Sequence, residues 1–117
     1  MKHFKLSEFD CPTKKGSGEK MDKEFLYLLD LARGVAGVPF KITSGYRTKQ
    51  HNKDIGGVSN SSHLKGLAVD ISVSDSRRRS IVLNALISVG FNRIGIAKTF
   101  IHVDSSKEKS QNVVWVY

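Results

Sequence analysis

The stretch that decides the fold runs from residue 67 to residue 73 and reads Leu67-Ala68-Val69-Asp70-Ile71-Ser72-Val73. Its β-branched residues and near alternation predict a strand with two different faces. The valines and the isoleucine share one face, whereas Asp70 lies on the other face with Ala68 and Ser72. A carboxylate at the centre of so apolar a strand is unfavourable unless a cation or hydrogen-bond donors neutralise it. Asp70 is therefore the first candidate functional residue.

Elements on either side of this strand indicate an α+β fold. Apolar residues at intervals of three and four, from Met21 to about Val35, predict a helix that ends near Gly37. The other predicted elements are a short strand over 38–43, a polar helical turn from Thr48 to Asp54, a helix from about Ser76 to Val89, two strands near 92–96 and 100–104, and an edge strand within 113–117. We expect helices packed on a small, mainly antiparallel sheet, in one domain that spans residues 1–117.

The bulk composition is that of a globular protein, with 117 residues, 39% apolar content and 26% charged content. The single cysteine, Cys11, excludes an intramolecular disulfide, and a buried structural thiol is favoured over a reactive one. The net charge of +8 favours encounter with polyanions such as nucleic acid, anionic lipid or cell-wall polymers. The basic residues are scattered, however, and the one tight cluster, Arg77–Arg79, is typical of a solvated helix start.

The first residues of the chain contain no apolar run of about 7–15 residues, so we expect neither a signal peptide nor a membrane span. The expected localisation follows from this. The protein would be made in the cytoplasm and would reach a cell wall only after lysis or as part of a virus particle.

Two histidines join Asp70 as candidates because of where the predicted strands place them. His63 lies in the loop before the 67–73 strand, and His102 lies in the apolar strand over 100–104. Two imidazoles and one carboxylate are the ligands of many catalytic zinc sites, whose fourth position is left for water. Each residue alone has a plainer interpretation, since His102 could be a hydrogen-bonded strand residue, Asp70 could pair with an arginine, and His63 could be an exposed loop residue. His3 and His51 are interpreted as structural or surface residues.

The sequence segments around these residues resemble those of a known protein family. Residues 61–70, Ser-Ser-His-Leu-Lys-Gly-Leu-Ala-Val-Asp, resemble the Ser-x-His-x-x-Gly-x-Ala-x-Asp signature of the zinc D-Ala-D-Ala peptidase family. That family includes cell-wall carboxypeptidases, dipeptidases and phage endolysins. Ile42–Arg47 is similar to its Ser-Gly-Tyr-Arg segment, and Phe100–Asp104 resembles the His-x-Asp that ends the site in a compact branch. The resemblance covers roughly residues 4–106.

The resemblance implies a site residue by residue. His63, Asp70 and His102 would bind one zinc ion. Arg47 would hold the substrate carbonyl or terminal carboxylate, a role that suits the planar guanidinium, although a surface ion pair is its plain alternative. Ser61 would line the pocket, or its hydroxyl would bond to its own backbone. Gly66, between the ligand loop and the strand, would permit a turn that a side chain obstructs.

The activity that the resemblance implies is zinc-dependent hydrolysis of peptidoglycan stem peptides or cross-links, by a carboxypeptidase or an endopeptidase. A phage or virus lysis enzyme, acting as a monomer and without specific nucleic-acid binding, is the expected setting. Several family members carry an acidic or histidine base about three residues before the last ligand, where this chain has Thr99 beside Lys98. The nearest carboxylate is Asp104, which could act as the base or could orient His102.

Two other functions remain open at this stage. A zinc-containing cell-wall-binding module without turnover is compatible with the missing base. A nucleic-acid-binding protein would suit the positive charge, but aromatic and basic residues do not interleave in any one segment, and no helix-turn-helix or zinc-finger spacing is present.

Overall fold

A computed structural model describes all 117 residues of the chain. The helices and strands are α1 (Lys23–Ala36), β1 (Lys41–Ser44), α2 (Lys49–Asp54), β2 (Ala68–Ser72), α3 (Ser76–Ser88), β3 (Arg93–Ile96), β4 (Phe100–Asp104) and β5 (Val113–Val116). Short 3₁₀ helices lie at Leu6–Phe9, Ser17–Lys20 and Ser62–Lys65. The elements confirm the α+β class, and each predicted helix and strand is present with its ends shifted by at most a few residues.

The five strands form one sheet in the order β1-β2-β4-β3-β5. All neighbouring pairs are antiparallel except β3 and β5, which run parallel, so the sheet is mainly antiparallel as predicted. The register aligns one residue from each strand in a single row across the sheet: Ser44, Asp70, His102, Gly95 and Trp115. We call this set the central row.

The opposite face of the sheet holds the hydrophobic core. Val69, Ile71 and Ile101 are completely buried there, in the same cluster as Phe25 of α1 and Leu86 of α3. Because side chains alternate along a strand, the residues on either side of Asp70 and His102 anchor the sheet to the helices. The polar central row is thereby left on the other face.

The helix ends follow from their capping residues. Asp22 accepts a hydrogen bond from the Phe25 amide at the start of α1, and Gly37 ends that helix with a φ of 66°. Asp75 caps α3 in the same way by accepting from the Arg78 amide at 2.8 Å. None of the helices has the length and apolar content needed to cross a membrane.

Gly66 makes the turn from the 3₁₀ helix Ser62–Lys65 into β2. Its φ is 69°, and a Cβ at this position would collide with the carbonyl oxygen of Lys20 and with Met21. Its own carbonyl accepts a hydrogen bond from the Asp22 amide at 2.9 Å. The turn therefore requires glycine for two reasons, a left-handed backbone and a close approach of another segment.

Candidate metal centre

The fold brings His63, Asp70 and His102 together at one point of the central row. One ligand atom from each residue lies within 4.8 Å of the others. His63 Nε2 is 3.4 Å from Asp70 Oδ1, and His102 Nδ1 is 2.9 Å from the same oxygen. The two imidazoles meet edge to face with their ring centroids 5.3 Å apart. Neither His3 nor His51 belongs to this group.

His63 is positioned by a helical turn rather than by an open loop. It lies in the 3₁₀ helix Ser62–Lys65, and its backbone amide donates to the Ser61 hydroxyl at 3.2 Å. Its Nδ1 donates to the Gly45 carbonyl at 2.8 Å. This bond occupies Nδ1 and leaves Nε2 facing Asp70, and a metal-binding histidine is commonly oriented by an outer hydrogen bond of this kind.

His102 is held in the complementary orientation by Asp104. His102 Nε2 donates to Asp104 Oδ2 at 2.8 Å, which leaves Nδ1 facing Asp70. Asp104 is only 2% exposed, and each of its oxygens has two donors nearby. Oδ1 accepts from Arg93 Nε at 2.7 Å and from the Ser106 amide at 3.1 Å, and Oδ2 has Arg93 Nη2 at 3.5 Å as its second donor. Since these donors use both lone pairs of each oxygen, the geometry favours the orienting role over the base role.

The electrostatics of the cluster follow from these contacts. Burial alone would raise the pKa of Asp70, but hydrogen bonds from His102 and His63 outweigh it and hold that pKa well below its ordinary value. Burial alone would lower the pKa of His102, yet its bonds to Asp104 and Asp70 raise it. Burial likewise opposes the shift at Asp104, whose pKa is lowered by His102 and then by Arg93. Asp70 is thus a charged carboxylate that faces one ring nitrogen of His63 and one of His102.

This donor set fits a divalent cation. Two imidazole nitrogens and one carboxylate oxygen converge, and each imidazole has its other nitrogen bonded to an acceptor outside the cluster. A zinc site of the catalytic kind uses three protein ligands of these types and outer hydrogen bonds of this kind. All three side chains are largely buried, so the charge of Asp70 is compensated by neighbouring side chains rather than by solvent.

Arg47 lies at the edge of the cluster. Its Nη2 is 3.6 Å from Asp70 Oδ2, and its Nε donates to Ser44 Oγ at 3.1 Å. Its Nη1 donates to Asn52 Oδ1 at 3.3 Å, and Asn52 is itself buried and bonded to the Val58 carbonyl at 2.9 Å. The ion pair considered as the plain alternative for Arg47 therefore exists, but its partner is a candidate metal ligand rather than a surface acid.

The cluster opens into a cleft of about 350 Å³. One part of its lining is polar and includes Arg47, Ser61, Ser62 and Lys109, and another part is aromatic, with Phe100, Trp115 and Tyr117. The carboxylates that line the cleft are Asp70 and Asp104. Thr99 and Lys98, which occupy the position where the sequence resemblance implies a base, are exposed in the turn between β3 and β4.

Trp115 is a residue of this site that the sequence did not indicate. Its ring centroid is 5.7 Å from that of His102, and the Arg93 guanidinium lies 5.1 Å from the indole centroid. The indole can reach His102 because Gly95 stands between them in the central row. A Cβ at Gly95 would lie 2.5 Å from Trp115 Nε1. An edge strand is expected within 113–117, but only the register reveals which residue faces the site.

A comparison with protein-family models matches residues 2–104 to the family described as Peptidase M15. The match includes the three clustered residues, Arg47 and Asp104, and it ends before the loop that carries Lys109 and before β5. No curated protein matches the chain.

Proposed function

Because the chain belongs to the M15 peptidases, the zinc D-Ala-D-Ala peptidase family, we propose that it is a zinc-dependent peptidase that hydrolyses the stem peptides or cross-links of peptidoglycan. The observation that supports this most strongly is the convergence of His63, Asp70 and His102 within 4.8 Å. Carboxypeptidase and endopeptidase action both fit the open cleft.

In this proposal His63 Nε2, an Asp70 oxygen and His102 Nδ1 hold one zinc ion. Zinc supplies Lewis-acid chemistry, which polarises the scissile carbonyl and activates water for attack. The chain's own contribution is to fix the donors. Gly45 and Asp104 each bind the outer nitrogen of one histidine, so neither ring needs to rotate when the ion binds.

We assign Arg47 to the substrate carbonyl. Its guanidinium is already oriented by Ser44 and Asn52, so little side-chain entropy is lost when it binds an oxygen. The negative charge that develops on the carbonyl oxygen during hydrolysis is stabilised by such a fixed cation. Ser61 lines the same cleft, but its hydroxyl accepts from the His63 amide, so we assign it to shaping the pocket and holding the ligand turn.

Asp104 is assigned the positioning role. It fixes the ring of His102 and is itself fixed by Arg93 and Ser106.

The cleft holds no third carboxylate, and this favours one second candidate function, a zinc-containing module that binds cell wall without turnover. A phage or virus lysis role is supported by the family likeness and by the charge of +8, which assists approach to an anionic wall.

The proposed function is tested by digesting purified muropeptides with the protein, with and without a metal chelator, and by measuring product masses. We expect loss of one amino acid from the stem peptide or cleavage of a cross-link. The chelator should abolish the reaction and added zinc should restore it. Zinc bound at one per chain without any product would favour the binding module, and cleavage unaffected by the chelator would contradict a metallopeptidase.

A further inference from the structure

Lys109 enters the cleft from a part of the chain beyond the family-matched residues 2–104. It is half-buried, and its Nζ donates to the Ser62 hydroxyl at 3.2 Å. No carboxylate lies within 4.0 Å of this ammonium group, whereas Arg47 and Arg93 each face an aspartate. Lys109 is therefore the one cation of the cleft that has no acidic partner.

The backbone around Lys109 is tied to the metal centre. Arg93, which pairs with Asp104 behind His102, also donates from Nη1 to the Ser110 carbonyl at 2.6 Å. Gln111 Nε2 donates at 2.8 Å to the carbonyls of both Ser106 and Lys109. The loop between β4 and β5 is thus held in place by the network that orients a candidate ligand, so Lys109 is presented to the cleft in a fixed position.

The charge balance of the cleft favours an anionic ligand. Its lining carries three cations, Arg47, Arg93 and Lys109, against two carboxylates, Asp70 and Asp104. A bound divalent cation would raise this excess by two further charges. An excess of positive charge in a partly enclosed cleft attracts an anion and raises its local concentration.

We propose that Lys109 is a specificity-determining residue that binds a free carboxylate of the peptide substrate near the scissile bond. This inference rests on the proposed peptidase function and adds the substrate class. The preferred substrate is a peptide that carries a free carboxylate near the scissile bond, where a related peptide carries an amide. The ammonium group offers three donors. The Ser62 hydroxyl accepts from Lys109 and so keeps its own proton to donate to the same carboxylate. The carboxylate could be the C-terminal one or that of a side chain.

The experiment measures the cleavage of three peptides by the protein supplied with zinc. In the first peptide the C-terminal and side-chain carboxylates are both free, in the second the C-terminus is an amide, and in the third the side chain is an amide. We expect the wild-type protein to cleave the free acid with a KM about tenfold lower than one of the two amides, and the weaker amide identifies the carboxylate that is bound. Lys109→Met should raise KM for the free acid by about the same factor, change kcat less, and leave the weaker amide's KM unaltered. Lys109→Arg should recover most of the affinity.

Lys107→Met is the matched control because Lys107 is exposed and lines a different hollow of the surface. Equal KM values for all three peptides with the wild-type protein would overturn the proposal, and this comparison does not depend on any variant folding. An equal loss on acid and amide in Lys109→Met would also overturn it. A wild-type protein that holds zinc but cleaves none of the peptides would overturn the proposed function, and this inference with it.

Discussion

Asp104 orients the candidate ligand His102 through the ring nitrogen that does not contact Asp70. Its bond to Nε2 leaves Nδ1 for the metal, and its partner Arg93 is only 8% exposed. We expect Asp104→Asn to lower zinc affinity by roughly 10–100-fold, because removal of an outer-shell acid loosens the ligand ring. Competition with a chromophoric chelator measures this affinity. Asp54→Asn, at the end of α2, is the control, and unchanged affinity in Asp104→Asn would refute the positioning role.

The protonation of the cluster makes a prediction about stability and pH for the metal-free chain. The raised pKa of His102 contributes stability that is present below its unfolded value of 6.5 and is lost as pH rises through the higher folded pKa. The lowered pKa values of Asp70 and Asp104 contribute stability that is present above 3.8 and is lost in acid. The metal-free chain should therefore be most stable between these two values.

Thermal unfolding across pH, with and without zinc, checks this expectation. Zinc should move the optimum to higher pH, since the ion takes the place of the proton between His102 and Asp70. A metal-free chain that is more stable at about pH 8 than at about pH 5.5 would contradict the described contacts.

The sequence alone predicts part of the candidate site. Asp70 was identified because a carboxylate in an apolar strand needs a partner, and its partners are both histidines and Arg47. The role of Asp104 was left open because residue type and spacing do not show which atoms of a carboxylate are occupied. Lys109 carried no signal at all, since only the folded loop brings it beside Ser62.

At the scale of elements, the packing of β5 against β3 leads to a prediction about the free energy of unfolding. Gly95 provides the gap through which Trp115 contacts His102, so Gly95→Ala would force the indole to move. We expect a loss of about 1–3 kcal/mol in the free energy of unfolding, as is usual when extra volume enters a packed site. Denaturant unfolding measures this loss.

Gly34→Ala is the matched control because Gly34 lies within α1 and a Cβ there would meet only the end of the His3 side chain, at 3.4 Å. That change should be neutral or stabilise by up to about 1 kcal/mol, since alanine favours a helix more than glycine does. A Gly95→Ala variant as stable as Gly34→Ala would show that Trp115 is not confined by Gly95.

Local pattern was sufficient for most elements and insufficient for their pairing. The alternation in 67–73 and the apolar stripe of α1 depend on neighbours in sequence, so both were predicted with nearly correct ends. The parallel pairing of β5 with β3 depends on contacts between distant residues, which a local pattern alone does not specify. The segment that holds His63 was expected as a loop, whereas it is a short 3₁₀ helix capped by Ser61.

At the scale of the whole molecule, one face of the sheet builds the core and the other builds the site. The helices cover the apolar face, and the central row, from Ser44 to Trp115, spans all five strands on the other face. The family match ends at residue 104, so the last part of the chain supplies Lys109, Trp115 and Tyr117 to a site whose candidate metal ligands lie within the match. This division suggests that the metal chemistry and the substrate preference can be altered separately.

The central claim, that His63, Asp70 and His102 hold the one zinc ion needed for hydrolysis, is tested most directly by comparing His63→Ala with His51→Ala. Zinc per chain would be measured by native mass spectrometry, and cleavage of muropeptides would be measured on the same samples. We predict one zinc per chain and full cleavage for the wild type and for His51→Ala, and neither zinc nor cleavage for a folded His63→Ala. A His63→Ala protein that retains its zinc and cleaves muropeptides at the wild-type rate would contradict the account.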